Sequence, residues 1–322
     1  MVINSNLRTP LLISAIFLTI ALVLAGCGRE VEEAPAEKET IRVGYLPITH
    51  SLPFLLAEQQ GDFEHLNIEA VRFTSWPEVY ESLQSGQIDA AISMTQAAML
   101  GRQRGFPLRI AVLGHREGDA IIAREGIRSP EELDGTTVAI PHRLSGHNVL
   151  LYRALEMAGL SYEDITAVEM APPDMMAALA VGEIDAYVVA DPFGAIAVQE
   201  GVGHALLRAA DIWPGWPCCA LVVNEEELDV EGKALDELAQ EIMVAGTRLS
   251  EDREWAVQVA SEILEFDTEV MEISLEWMDY SNLRPRLEDY RLYQDLLLEM
   301  NLLPEAVNLE ELFIEKYLDI EE

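Results

Sequence analysis

Along the first two thirds of the chain, short apolar runs alternate with amphipathic stretches. The runs Ile41–Pro47, Ile68–Phe73, Ile88–Ser93, Leu108–Gly114, Gly135–Pro141, Ile165–Met170 and Ile184–Ala190 are each six or seven residues long. That is the length and composition of strands buried on both faces, as in a parallel sheet. Between them, Ser145–Ala158 and Pro173–Val181 are patterned as helices that bury one face. From about Glu226 the period changes: Leu235, Leu238, Ile242, Ala245 and Leu249 recur at steps of three and four, and Trp255–Leu264 and Leu287–Met300 behave alike. The pattern predicts an α/β protein with mostly parallel sheets flanked by helices and a helical C-terminal region.

One octapeptide pattern occurs twice, as LQSGQIDA at Leu83–Ala90 and LAVGEIDA at Leu179–Ala186, 96 positions apart. Solenoid units recur every 20–50 residues or so, which makes two similar lobes the reading of this longer spacing. In each copy the glycine suits the left-handed position past a helix end, and I-D-A opens the next strand. Strand-to-helix corners follow at Ser93–Met99 and Ala190–Ile196, and similar corners lie at Leu46–Leu56 and Ile140–Leu151. Such corners stand at the carboxyl edge of a parallel sheet, where α/β proteins bind ligands, and each presents free helix N–H groups. Four of them on two facing lobes predict one cleft for a polar or negative ligand.

Composition narrows the partners. The 322 residues are half apolar, enough for about two domains with a substantial core. The 57 acidic and 21 basic residues give a net charge of −36, which repels nucleic-acid phosphate and anionic lipid headgroups. With Lys38, Lys233 and Lys316 as its only lysines, the surface reads as adapted to high salt. At the N-terminus, Arg8 precedes an uncharged apolar run of 14 residues, Leu11–Leu24, too short for a membrane span and suited to a signal peptide. The sequence LAGC, Leu24–Cys27, resembles the lipobox of bacterial lipoproteins. A signal peptide over 1–26, lipidation of Cys27 and a polar tether over 27–40 follow as expectations, with acyl chains as the membrane anchor and the folded part beginning near Ile41. The other cysteines, Cys218 and Cys219, are adjacent and read as two buried thiols on opposite faces of a strand. No C-x-x-C motif and no pair of the six histidines at i, i+4 spacing marks a metal site, and no cofactor motif, P-loop or G-x-S-x-G is present.

The order GYLP, SW, GQIDAAIS, SPEELDGTTVAIP, GEIDAYVVADPF, DIWPGWPCC resembles the NMT1/THI5-like group of substrate-binding proteins of ABC transporters, which serve nitrate, sulfonates, taurine, bicarbonate and thiamine precursors. The resemblance covers about Ile41 to Asn224. It implies a two-lobed periplasmic-binding-protein-like fold of type II, with crossovers near Ala120–Glu125 and Pro217–Asn224. Lobe 1 then comprises 41–122 and 220–322, and lobe 2 comprises 123–219. It further implies a monomeric, non-enzymatic binder, anchored outside the cytoplasm, that closes on a small solute and delivers it to a permease and its ATPase.

Within that group the chain is most similar to the nitrate and bicarbonate binders. Their ligand tryptophan matches Trp76 in TSWPEVY, and their ligand histidine matches His147, behind Ser145 in SGHNVLLYRAL. A polar family position falls on His115–Arg116, where Arg116 offers a charged fork to an oxyanion. The corners add His50, Ser51, Ser93, Thr95 and His142. Asp191 is either a helix cap or the partner of a ligand ammonium, and of Trp213 and Trp216 one is core and one wall, with Trp213 taken into the site. The chain departs from these binders where they carry a ligand lysine: Cys218 and Cys219 stand there instead. That departure admits zwitterionic, sulfonated, phosphonated or heterocyclic solutes. The alternatives are a THI5-like pyrimidine-precursor synthase, for which no suitable lysine is present, and a lipoprotein that presents its ligand to a receptor. If the charge reading is right, the melting temperature rises between low and molar salt, and a flat or falling response in thermal denaturation refutes it.

Overall fold

The computed structural model describes residues 38–319. The leader at 1–26, Cys27 and residues 28–37 of the expected tether lie outside them. Strand β1 (Glu39–Tyr45) starts two residues before Ile41, so the folded part reaches slightly into the expected tether. After β1 come a 3-10 turn at Thr49–Ser51, α1 (Leu52–Gln60), β2 (Leu66–Arg72), α2 (Trp76–Gln84), β3 (Ala90–Met94), α3 (Thr95–Gln103) and β4 (Leu108–Glu117). The chain then builds a second sheet from β5 (Asp119–Ala123), β6 (Thr137–Ile140), α4 (Gly146–Met157), β7 (Thr166–Glu169), α5 (Pro172–Val181), β8 (Ala186–Ala190), α6 (Phe193–Gln199), β9 (His204–Arg208) and α7 (Ala209–Ile212). It returns through β10 (Cys219–Asn224) and continues into α8 (Lys233–Glu251), α9 (Arg253–Leu264), α10 (Thr268–Trp277), β11 (Met278–Asp279), α11 (Leu287–Glu299) and α12 (Leu309–Leu312).

The first sheet has the order β11-β4-β10-β3-β1-β2 and the second β7-β6-β8-β5-β9. β1 pairs in parallel with β2 and β3, and β6 with β7 and β8. The strands nearest the crossings run the other way: β10 lies antiparallel between β3 and β4, and β5 antiparallel between β8 and β9. The first crossing falls at Gly118 and the second between Trp213 and Cys218, a few residues before the expected Ala120–Glu125 and Pro217–Asn224, whose residues are largely sheet strands. The runs DAIIA and CALVVN look like connectors by their shortness, yet both are buried along their whole length.

The octapeptide repeat is a structural device. In each copy the glycine past the helix, Gly86 or Gly182, takes the left-handed conformation, with φ of 69° and 75°. The isoleucines Ile88 and Ile184 are buried. Each aspartate then ties its own turn to the strand that the next strand joins in parallel, β1 for Asp89 and β6 for Asp185. Asp89 accepts the Arg42 amide at 2.7 Å and its Nε at 3.0 Å. Asp185 accepts the Thr137 amide at 2.9 Å and the Arg124 Nε at 2.7 Å. Two lobes reuse one solution for starting a parallel strand beside another.

The helical C-terminal region holds both halves. Leu235, Leu238, Ile242, Ala245 and Leu249 of α8 are all buried, as their spacing requires, against α1, β2 and β4. Further on, α10 packs on α6 beside the second sheet, and Trp277 joins that sheet's apolar cluster. The tail expected to belong to lobe 1 therefore also braces lobe 2. Asp185→Ala removes the side-chain acceptor of the Thr137 amide and an ion-pair partner at a site 28% exposed, for an expected loss of about 1 kcal/mol in urea denaturation at neutral pH. Burial pushes the Asp185 carboxyl up, but the Thr137 amide and Arg124 together hold it below its ordinary value. Its contribution is thus complete above that ordinary value of about 3.9, and the gap between variant and parent closes as pH falls through the depressed folded value.

Candidate functional site

Four elements meet where the two sheets adjoin. The turn Thr49–Ser51 is wholly buried and fixed by two bonds: Thr49 Oγ1 donates to the Asp191 carbonyl at 2.9 Å, and Tyr280 Oη donates to the Thr49 carbonyl at 2.7 Å. It lies so close to β4 that a Cβ on Gly114 would sit 2.9 Å from the His50 carbonyl oxygen. Glycine at 114 therefore lets the turn settle on the strand, and the His50 and His115 rings come to 3.8 Å between centroids. Opposite His115, β10 opens with Cys219. Adjacent strand residues alternate faces, but Cys218 precedes the first paired residue and a register shift follows Cys219. Both thiols consequently turn the same way, against the expectation of opposite faces. Their sulfurs are 3.7 Å apart, and each lies beside His50 Nδ1, at 3.7 Å from Cys218 and 3.5 Å from Cys219.

Asp119 stands at the first crossing and is fully buried. The Trp216 indole donates to its Oδ2 at 2.7 Å. His147, the second residue of α4 in the other lobe, places Nε2 3.0 Å from Oδ1, close enough to pair but not aligned for a hydrogen bond. His50 Nε2 is 3.7 Å from the same oxygen and 3.4 Å from the Gly118 carbonyl. The start of α4 is pressed onto the first lobe, since a Cβ on Gly146 would meet Tyr293 Oη at 2.5 Å and Trp216 at 3.0 Å. Gln96 Nε2 donates across the gap to the Leu144 carbonyl at 3.2 Å. The cleft is closed.

Burial sets the electrostatics. It pushes His50 well below the ordinary imidazole value and His115 down to about 3, so both rings are neutral at physiological pH. Burial also pushes Asp119 upward, but the paired His147, His50 and the Trp216 N–H outweigh it and keep the carboxyl ionised. Asp191, whose Oδ1 accepts the Ala195 amide at 3.1 Å, is raised well above the usual carboxyl value by burial, with Asp119 adding to the rise. Cys218 is raised as well, first by burial and then by the Cys219 and Asp119 neighbours. Of the ten buried side-chain polar atoms without a hydrogen-bond partner among the described residues, six belong to His115, Asp119, His147 and Asp191. Buried polar atoms are rarely left unpaired, and leaving one costs about 1–3 kcal/mol, so their concentration at one place marks a candidate ligand site.

The expected site residues divide. His50, His115 and His147 converge on the cleft, Asp191 lies beside them, and Ser145 caps α4 by accepting the Asn148 amide at 3.3 Å. Thr95 is buried but donates to the Pro217 carbonyl at 2.9 Å and so holds the second crossing in place, while Ser93 lies on β3 opposite Ala220. Ser51 is buried with no cap bond from its hydroxyl. Arg116 is not an oxyanion fork. It follows His115 on β4 and faces away from it, where its guanidinium donates to Asp289 Oδ2 and to the carbonyls of Asn282, Gly215 and Arg284, all between 2.7 and 2.9 Å. Trp76 stands half-buried after β2, the edge strand, outside the cluster, and His142 is exposed with Nδ1 accepting the Leu144 amide. Trp213 lies one layer back, 4.9 Å from Trp216 between ring centroids, and it is Trp216 that touches the site. Asp119, Trp216 and the two thiols are the residues sequence reasoning left out of the site; the E-G-D turn directly after His115–Arg116 was the available signal for Asp119.

The sequence model of the NMT1-like family matches residues 34–264. The nitrate import ATP-binding protein NrtC of Synechococcus elongatus is 30% identical over 242 residues, which are 69% of this chain and 37% of that protein. The chain thus spans about a third of the length of the first curated relatives it matches. Among solved structures, the ligand-binding component of an ABC-type import system from Staphylococcus aureus, crystallised with zinc bound, superposes with a TM-score of 0.79 at 29% identity over 86% of this chain and 97% of that one. The periplasmic nitrate-binding protein NrtA of Synechocystis PCC 6803 shares the fold, with a TM-score of 0.77 at 17% identity over 88% of both chains.

Because Arg116 is 3% exposed and bonded on every side, Arg116→Met is expected to cost about 3 kcal/mol in urea denaturation by leaving Asp289 and three carbonyls short of a donor. A loss below about 1 kcal/mol, in the range of exposed pairs, contradicts the structural role.

Proposed function

The chain belongs to the NMT1-like family, and from that premise we propose that it is the solute-binding component of an ABC importer, closing two lobes on a small polar solute and delivering it to a permease and its ATPase. The observation that carries this reading is the junction of His147 with Asp119. An imidazole supplied by lobe 2 meets a carboxylate at the crossing, in a place where unpartnered polar atoms of both lobes are shut away from water. A protein whose two halves merely packed together would place apolar groups there.

Closure supplies the mechanism. Trp216 and His50 hold one side of Asp119, and the start of α4 brings His147 to the other. Solute that bridges these groups favours the closed state by its preference for that state and no further. The chemistry of the wall also restricts the solute. Arg116 is engaged elsewhere, Asp119 is ionised, and the nearby imidazoles of His50 and His115 are neutral. A bare oxyanion meets a negative wall here; a solute with a positive or donor-rich face does not. Lipidation of Cys27 would anchor the protein to a membrane outside the cytoplasm; no helix among the described residues is long and apolar enough to cross one.

The test is a thermal-shift screen of nitrate, bicarbonate, taurine, alkanesulfonates, aminoethylphosphonate, pyrimidines, riboflavin and metal cations against the full chain and His147→Ala. One solute class is expected to raise the melting temperature of the parent, by about 2.7 kcal/mol of added stability at a hundredfold excess over Kd, and to raise that of the variant less. A parent protein that no solute stabilises, together with normal uptake by cells carrying His147→Ala, defeats the reading.

A further inference from the structure

We propose that His50, His115, Cys218 and Cys219 form a four-ligand site for a thiophilic d-block cation such as Zn2+, and that this cation is the solute the cleft takes. The inference deepens the importer reading and rests on it for the word solute; the site itself rests on geometry. All four residues are buried, and their ligand atoms lie within 4.8 Å of one another. A tetrahedral zinc ion with bonds of about 2.3 Å to sulfur and about 2.05 Å to nitrogen sets S···S edges of about 3.8 Å and S···N edges of about 3.5 Å. Three of the six edges here are 3.7 Å between the sulfurs and 3.5 and 3.7 Å from the sulfurs to His50 Nδ1. These are coordination edges already in place.

His115 supplies an independent sign. It is fully buried, both of its ring nitrogens lack a partner, and its ring lies against that of His50. The outer shell agrees. His50 turns Nδ1 to the thiols and Nε2 towards the Gly118 carbonyl and Asp119, the arrangement in which a carboxylate or carbonyl behind the ring orients a metal-bound histidine. Charge also closes. Zn2+ displaces one proton from each thiol to solvent, and the two thiolates neutralise the ion, so that Asp119 keeps His147 as its own partner. Cys218 belongs as well to a second set with Asp119 and His147, within the same 4.8 Å limit. Through it the proposed ion stands beside the carboxylate that pairs with the lobe 2 imidazole, which links coordination to closure. Two soft sulfurs and two imidazoles select zinc or cuprous ion over magnesium or calcium.

The experiment uses the full chain, reduced and stripped of metal, titrated with Co2+ and then Zn2+. The expected result is one equivalent of cobalt bound with release of about two protons, intense tetrahedral bands and thiolate-to-cobalt absorption, and then displacement of the cobalt by zinc with no further proton release. Asp119→Asn is expected to weaken binding by about 10–100-fold through its loss behind His50. Cys219→Ser and His115→Ala should weaken it more, and His204→Ala, on β9, not at all. Far-UV dichroism of each metal-free variant shows that it folds. A folded parent that binds neither ion, or a folded Cys218→Ser/Cys219→Ser protein that binds as well as the parent, overturns the site. The two readings fail separately. Closure by an organic solute without metal binding defeats the cation and keeps the importer. Zinc held at these residues, with zinc uptake by cells unchanged when the chain is deleted, keeps the site and overturns the cation's role as cargo.

Discussion

An ionised carboxylate buried at a chain crossing constrains everything around it. Removing Asp119 from water costs several kcal/mol unless polar partners replace the lost hydration. Those replacements come from separate parts of the chain: the indole of Trp216 from the second crossing and the imidazole of His147 from the first turn of α4. If the lobes part as proposed, His147 is withdrawn and water readmitted, so the carboxylate would be solvated in one state and paired in the other. Because neither state leaves the charge bare, the balance between them can be close, and a ligand needs only a modest preference to shift it.

The other face of β4 explains how the cleft face stays in place. His115 and Arg116 are successive strand residues, so they point to opposite sides. Arg116 draws in the carbonyls of Asn282 and Arg284 and the carboxylate of Asp289, which ties the C-terminal region onto the strand. Tyr293, two turns of α11 or less beyond Asp289, then reaches Gln96 at 3.0 Å and backs the start of α4. The helical tail is therefore a clamp. It fixes the strand that carries His115 and closes the rear of the space that His147 enters, and its contact with α6 extends the support to lobe 2.

The elements that were legible in the sequence are those whose signal is local. Seven apolar runs marked seven strands, the step of α8 marked its buried face, and the twofold L-x-x-G-x-I-D-A marked two lobes. The antiparallel strands β5, β9 and β10 were harder to see, since a five-residue run such as DAIIA carries no more pattern than a connector does. Arg116 was misjudged because residue type suggests a role while strand parity decides the side. The cysteine pair faces the cleft only because β10 begins at Cys219 and slips register there. His50 and Cys218 are separated by 168 positions and belong to a turn after β1 and a segment before β10, so no spacing rule could have joined them.

The overall charge and the cleft point to the same sign of ligand. At −36 the protein repels anions at long range and gathers cations, although salt confines that field to within about 8 Å of the surface under ordinary conditions. Inside, the neutral rings of His50 and His115 carry no charge with which to attract an oxyanion. An anionic solute would thus be opposed first by the surface and then by Asp119, with no free guanidinium to offset either. A cation meets attraction at the mouth and lone pairs at the floor.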